Sequence, residues 1–160
     1  MASAPPPAGA EIFERILEAP SGLVTLECQD ADVLVEQVRA LARRSGQAVY
    51  LWRPDSGLGN LHDVHTRVPG CERLGNALRY MQQSIHFGVY FLRDLELPLS
   101  AGDAVILRQL ARAPTGHLRR VVLIDPPAAL VTYLGELAAR VNGRNGKPRS
   151  LRLRDGRWIA

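Results

Sequence analysis

The chain has 160 residues, 46% hydrophobic and 22% charged, enough for one domain with a true core and too apolar for a disordered chain. Two cysteines, Cys28 and Cys71, exclude a disulfide framework, and no apolar stretch approaches the roughly 20 residues that span a membrane. The net charge of +4 is unevenly placed: from Arg140 onward seven basic residues face Asp155 alone, a net +6, which leaves the first 139 residues at −2.

Met1 to Ala10 (MASAPPPAGA) lacks the basic start and apolar run of a secretory signal, so residues 1–10 read as an unstructured lead to a single α/β domain over 11–160 in the cytoplasm. Glu11 to Ala19 spaces Ile12, Phe13, Ile16 and Leu17 at helical intervals, and Pro20-Ser21-Gly22 stops it. Leu23 to Leu26 is a first strand. A helix follows, capped by Asp30 or Asp32, with Leu34, Val38 and Leu41 on one face and Gly46 at its end. Ala48 to Trp52 is a second strand. Residues 57–70, with three glycines, a proline and no period, read as an exposed connection.

Glu72 to Ser84 returns to the helical period through Leu74, Leu78 and Met81. Val89 to Leu92 reads as a strand buried on both faces, delivering Arg93-Asp94 to a loop. Ser100 with Asp103 three residues on marks a helix start. Val121 to Ile124 is another buried strand, and Leu130, Leu134, Leu137 and Val141 predict a last long helix closed by Asn142-Gly143. Leucine alternating with arginine over Ser150 to Arg154, then Asp155-Gly156, predicts a basic hairpin over 148–160. Strands alternating with helices predict a three-layer α/β fold with a mostly parallel sheet.

The chemistry such folds host is mostly missing. A nucleotide-binding phosphate loop needs glycines, a lysine and a Ser/Thr hydroxyl. Here the loop after the first strand is Glu27-Cys28-Gln29-Asp30-Ala31-Asp32, glycine-free with three acids counted from Cys28's neighbour Glu27, and the only lysine, Lys147, precedes Pro148. Asp94 ends its strand as a metal-holding acid does in working ATPases, but without the phosphate loop it has no metal–nucleotide to hold. A second reading makes Asp94 the phosphoacceptor of a response-regulator receiver, with Asp30 and Asp32 as the acidic pair and Lys147 as the cation; the long interval to Asp94 and the polar Asn142–Gly146 segment count against it. His62, His65 and Cys71 have zinc-like spacing but only three ligands on a loop, so no metal is expected. Arg149, Arg152, Arg154 and Arg157, with Trp158, form a stripe for an anion or nucleic acid, or an edge strand protected by arginine.

Taken together, Leu23 to Glu27, Tyr50 to Pro54 with Gly57-Leu58, Ala77-Leu78, Gly88 to Asp94, Leu107 to Ala111 and Val121 to Ile124 resemble the degenerate N-terminal ATPase-like domain of bacterial and plastid AAA-type proteins. In that group a domain lacking the phosphate loop precedes a working ATPase. The resemblance implies a P-loop-NTPase-like sheet, no cofactor, no catalysis, and a role in protein interaction or regulation. The docking residues expected are Arg53, Asp55, Arg93 and Asp94 at the strand ends, and Arg149, Arg152, Arg154 and Arg157 in the tail. An ATPase-like sheet is expected to place the first strand centrally, between the Val121 and Val89 strands.

Overall fold

A computed structural model describes residues 8–63, 66–84, 86–112 and 119–142. The expected hairpin over 148–160 lies outside them.

Five strands run parallel: β1 (Leu23–Glu27), β2 (Val49–Arg53), β4 (Gly88–Leu92), β5 (Arg119–Ile124) and β6 (Ala139–Asn142). A sixth, β3 (Gly57–Asn60), is antiparallel to β2, and the sheet order is β3-β2-β4-β5-β1-β6. Its centre is where the sequence is apolar without interruption. Every residue of β4 is buried, as are five of the six in β5, because a strand covered on both faces has no polar side.

Alternation along the strands divides the core in two. Val24, Leu26, Val89, Phe91, Val122 and Ile124 pack under α1 (Ala8–Glu18) and α2 (Ala31–Ser45). Leu23, Trp52, Tyr90, Leu92, Val121 and Leu123 pack under α3 (Leu74–Gln83), α4 (Ala101–Arg112) and α5 (Ala128–Leu134). The three-layer, mostly parallel, P-loop-NTPase-like fold is thus present. The local signals act as read: Ser100 Oγ accepts the Asp103 N–H at 3.0 Å, and Gly46 ends α2 at φ 73°.

Three expectations are corrected. Residues 57–60 are not an exposed connection but strand β3. Its glycines hide the alternation, yet Leu58 is fully buried and its carbonyl accepts the Val68 N–H at 2.9 Å. Gly57 takes φ 77° to make the turn from β2. The last helix does not reach Val141. It stops at Leu134, because Gly135 takes φ 55° and a 3₁₀ turn (Gly135–Leu137) leads into β6, which fills the open edge of β1. Consequently β1 lies between β5 and β6 and not beside β4; with Val141 assigned to a helix, the sequence offered no strand for that place. The order also departs from the 2-1-3-4-5 of receiver domains, since β4 and β5 separate β2 from β1.

Candidate functional site

In a parallel sheet the carboxyl ends of the strands share one edge, where open α/β folds keep their ligands. That edge here carries Cys28 after β1, Arg53 at the end of β2, Arg93-Asp94 after β4 and Asp125 after β5.

The position of a phosphate loop comes first. Only Cys28, Gln29 and Asp30 separate β1 from α2. The amides facing a would-be phosphate are already engaged by carboxylates of the chain. Asp30 Oδ1 accepts the N–H groups of Asp32 at 3.0 Å and Val33 at 3.3 Å. Asp125 Oδ1 accepts the Cys28 N–H at 3.0 Å, and its Oδ2 accepts the thiol at 3.3 Å. The positive end of α2 is therefore met by Asp30 from within, with Asp32 adding negative charge in the first turn.

A charged network covers this junction. Arg93, with only 12% of its side chain exposed, donates from Nη1 to Asp32 Oδ1 at 2.7 Å, and its Nε lies 3.2 Å from Asp94 Oδ2. Arg53 Nη2 reaches the same Asp94 oxygen at 4.0 Å. Burial disfavours the charged Arg93 guanidinium, but the two carboxylates outweigh it and raise its pKa. The Arg93 hydrogen bond, with its charge, holds the exposed Asp32 carboxyl below its ordinary range. Asp94 adopts φ 60° and Asp125 φ 47°, left-handed conformations that aspartate tolerates better than most residues.

Of the residues expected to form a site, Arg53, Arg93 and Asp94 thus come together, joined by Asp32. Asp55 does not enter the network through any contact described here; it sits in the β2–β3 turn, accepting the Ser56 hydroxyl at 3.3 Å. Arg149, Arg152, Arg154 and Arg157, and with them the anion- or nucleic-acid-binding reading, lie outside the described residues, as do Lys147 and His65. The receiver reading fails on geometry as well as strand order. Asp30 is spent on capping, and a guanidinium, not a metal-binding gap, separates Asp32 from Asp94.

Sequence reasoning missed the Cys28–Asp125 pair, for which the only signal was two polar residues at neighbouring strand ends. Burial first, then the Asp125 hydrogen bond and charge, push the Cys28 thiol up to about 12. At pH 8 its thiolate fraction should be roughly a thousandfold below that of an unfolded chain. Ellman's reagent should therefore label Cys28 slowly in the native state and rapidly in urea; equal rates would contradict the pairing. A thiol raised on folding contributes stability that is intact below the unfolded value of about 8.5 and is lost as pH rises toward 12.

Beside the Cys28–Asp125 pair, a cleft of about 560 Å³ opens between the ends of β1 and β6 and the β5–α5 loop, lined by Glu27, Asp125, Arg140 and Asn142 among others. Among the described residues no group of three or more His, Cys, Asp or Glu is placed to hold a metal, and no helix is long and apolar enough to cross a membrane.

The sheet is P-loop-NTPase-like, and the family match makes it an AAA-type domain. More narrowly, residues 10–142 match the family model described as SpoVK-like AAA ATPase, N-terminal domain, and the chain belongs to that family. The match extends beyond the Leu23–Ile124 range of the sequence resemblance, taking in α1 and β6. No curated protein matches the chain.

Proposed function

We propose that this domain is a non-catalytic regulatory or protein-interaction module of an AAA protein, degenerate in that it has no working phosphate loop and acts without nucleotide. One observation carries the reading: the amides of Cys28, Asp32 and Val33, which would have to cradle a phosphate, are engaged by the carboxylates of Asp125 and Asp30. A triphosphate entering there meets these acids and Asp32 in place of a lysine, and the nearby cations, Arg93 and Arg53, are already engaged by Asp32 and Asp94.

The interaction role draws support from the surface beside the network. Leu97 and Tyr133 are large apolar side chains, 42% and 48% exposed, that line a shallow groove between the β4–α4 loop and α5 with Pro98, Leu99 and Leu130. Contiguous apolar exposure of this kind marks protein contacts. The partner class in this reading is an AAA ATPase module; the family's description as the N-terminal domain of an AAA ATPase is in keeping with it.

Mixing the domain with such a module should give a complex visible by sedimentation, with no ATP hydrolysis by the domain alone. Leu97→Ser combined with Tyr133→Ser changes two exposed groups that line this groove and should weaken the complex at least tenfold. A complex of unchanged affinity in a natively folded double variant sinks the docking face.

A further inference from the structure

On the α2 side of the sheet, away from the Cys28–Asp125 pair, three arginines line one pocket that no Asp or Glu among the described residues lines. Arg39 from α2, Arg53 from the end of β2 and Arg67 from the segment after β3 line a pocket of about 130 Å³ with Ser56, Gly59 and Asn60. The pocket is assembled by specific fits. Arg39 Nη1 donates to the Leu61 carbonyl at 3.3 Å and Arg67 Nη1 to the Ser56 carbonyl at 3.4 Å, which fixes two of the planes. Gly59 leaves room for the second of these: a Cβ there would stand 2.9 Å from Arg67 Nη1, so any larger residue would push that guanidinium off the strand. Among the described residues Arg53 Nε is buried without a hydrogen-bond partner, as are Arg93 Nε and Arg119 Nε. An N–H in that condition is costly unless something accepts from it.

The nearby acids stand at the rim. Glu36, 70% exposed, lies 3.5 Å from Arg39 Nε, and Asp94 lies 4.0 Å from Arg53 Nη2. Neither fills the pocket. We infer that this pocket is a binding site for a single phosphate-type dianion, held by Arg39, Arg53 and Arg67. Forked guanidinium donors match tetrahedral oxyanions, and three of them around a small concavity favour a doubly charged group over chloride. The pocket is too small for a nucleoside, so the ligand is inorganic phosphate or a phosphoryl group presented on a side chain. This inference does not rest on the regulatory reading, because the pocket is on the other side of β2 from the groove at Tyr133.

The test is an NMR titration of the arginine Nε–Hε signals with inorganic phosphate, ionic strength held constant with chloride. Arg53 and Arg67 signals should shift saturably. Arg67→Gln should raise the dissociation constant at least tenfold, and Gly59→Ala, which displaces the Arg67 guanidinium while keeping its charge, should also weaken binding. Arg43→Gln/Arg44→Gln, two exposed arginines in the last turn of α2, should change it less than twofold. A parallel titration with O-phosphoserine separates the sources: tighter binding than phosphate supports a phosphorylated chain, weaker binding a free ion. The inference is overturned if neither ligand saturates, if a folded Arg67→Gln binds as the parent does, or if the Arg43/Arg44 variant loses as much as Arg67→Gln.

Discussion

Arg120→Met is expected to lower the unfolding free energy by about 3 kcal/mol, seen as a lower urea midpoint with an unchanged slope. Arg120 lies in the sheet opposite Val89 and is only 4% exposed. Among the described residues no carboxylate pairs with it. Its Nε donates to the Ile16 carbonyl at 3.2 Å, Nη2 to Leu17 at 3.0 Å and to Ala19 at 3.3 Å, and Nη1 to the Arg119 carbonyl at 3.1 Å. Ile16 and Leu17 are in the last turn of α1, where the helix dipole is negative, and Ala19 directly follows it; the Ile16 carbonyl also accepts the Ala19 N–H at 3.2 Å. The guanidinium therefore caps α1 and ties it to β5 in one step, and burial lowers its pKa. Methionine fills the volume but leaves several buried acceptors unmet, each costing about 1 kcal/mol or more. Arg120→Lys should fall between, since one ammonium cannot span all the carbonyls. A loss below about 1 kcal/mol for the methionine variant would show that water or rearranged backbone replaces the cap.

Gly22→Ala is expected to cost about 2–3 kcal/mol, a fall in thermal midpoint of roughly 5–10 °C for a chain of this size. The added methyl would stand 2.7 Å from the Leu110 carbonyl oxygen, and that obstacle is helix backbone, not a side chain that can rotate away. The surrounding junction is tightly determined. Ser21 Oγ donates to the Leu137 carbonyl at 2.7 Å and accepts the Leu23 N–H at 3.1 Å, while the Gly22 carbonyl accepts the Val121 N–H at 2.8 Å. Pro20-Ser21-Gly22, which reads in sequence only as a helix stop, is where α4, β1, β5 and the 3₁₀ turn close on one another. A midpoint within about 1 °C of the parent would mean that α4 slides away at little cost.

These two residues show what the sequence could and could not convey. Periodicity and caps located β1, α2, β2, α3, β4, α4 and β5, because those signals are local: apolar runs, Ser100 before Asp103, Gly46 after a basic turn. What failed was long-range. Arg120 looks like a solvated strand start until α1 is placed against it, and Gly22 looks like a breaker until α4 is. Strand β3 was invisible because its alternation rests on glycines, and β6 because Leu130, Leu134, Leu137 and Val141 keep a helical interval across Gly135, which ends the helix. At the site, the glycine-free acidic run from Glu27 to Asp32 could be read directly. The pairings made around it could not: Arg93 with Asp32 spans 61 residues and Cys28 with Asp125 spans 97.

Asp94 accordingly changes character. At the end of a buried strand it has the placement of a metal-binding acid, yet its partners are Arg93 and Arg53, and it serves to hold the strand-end loops together. Because both carboxylates of this network, Asp32 and Asp94, are exposed, it adds little to global stability. Its consequence is local order at the edge of the sheet, where a partner would dock.

The central claim is that the nucleotide position of this AAA-type sheet is filled by the chain's own carboxylates. Calorimetric titration with ATP and magnesium tests it most directly. The account predicts no saturable, magnesium-dependent heat up to millimolar nucleotide; any magnesium-independent phosphate response should disappear in Arg67→Gln, and none should depend on Asp94. Saturable micromolar binding that requires magnesium and is lost in Asp94→Asn would contradict it.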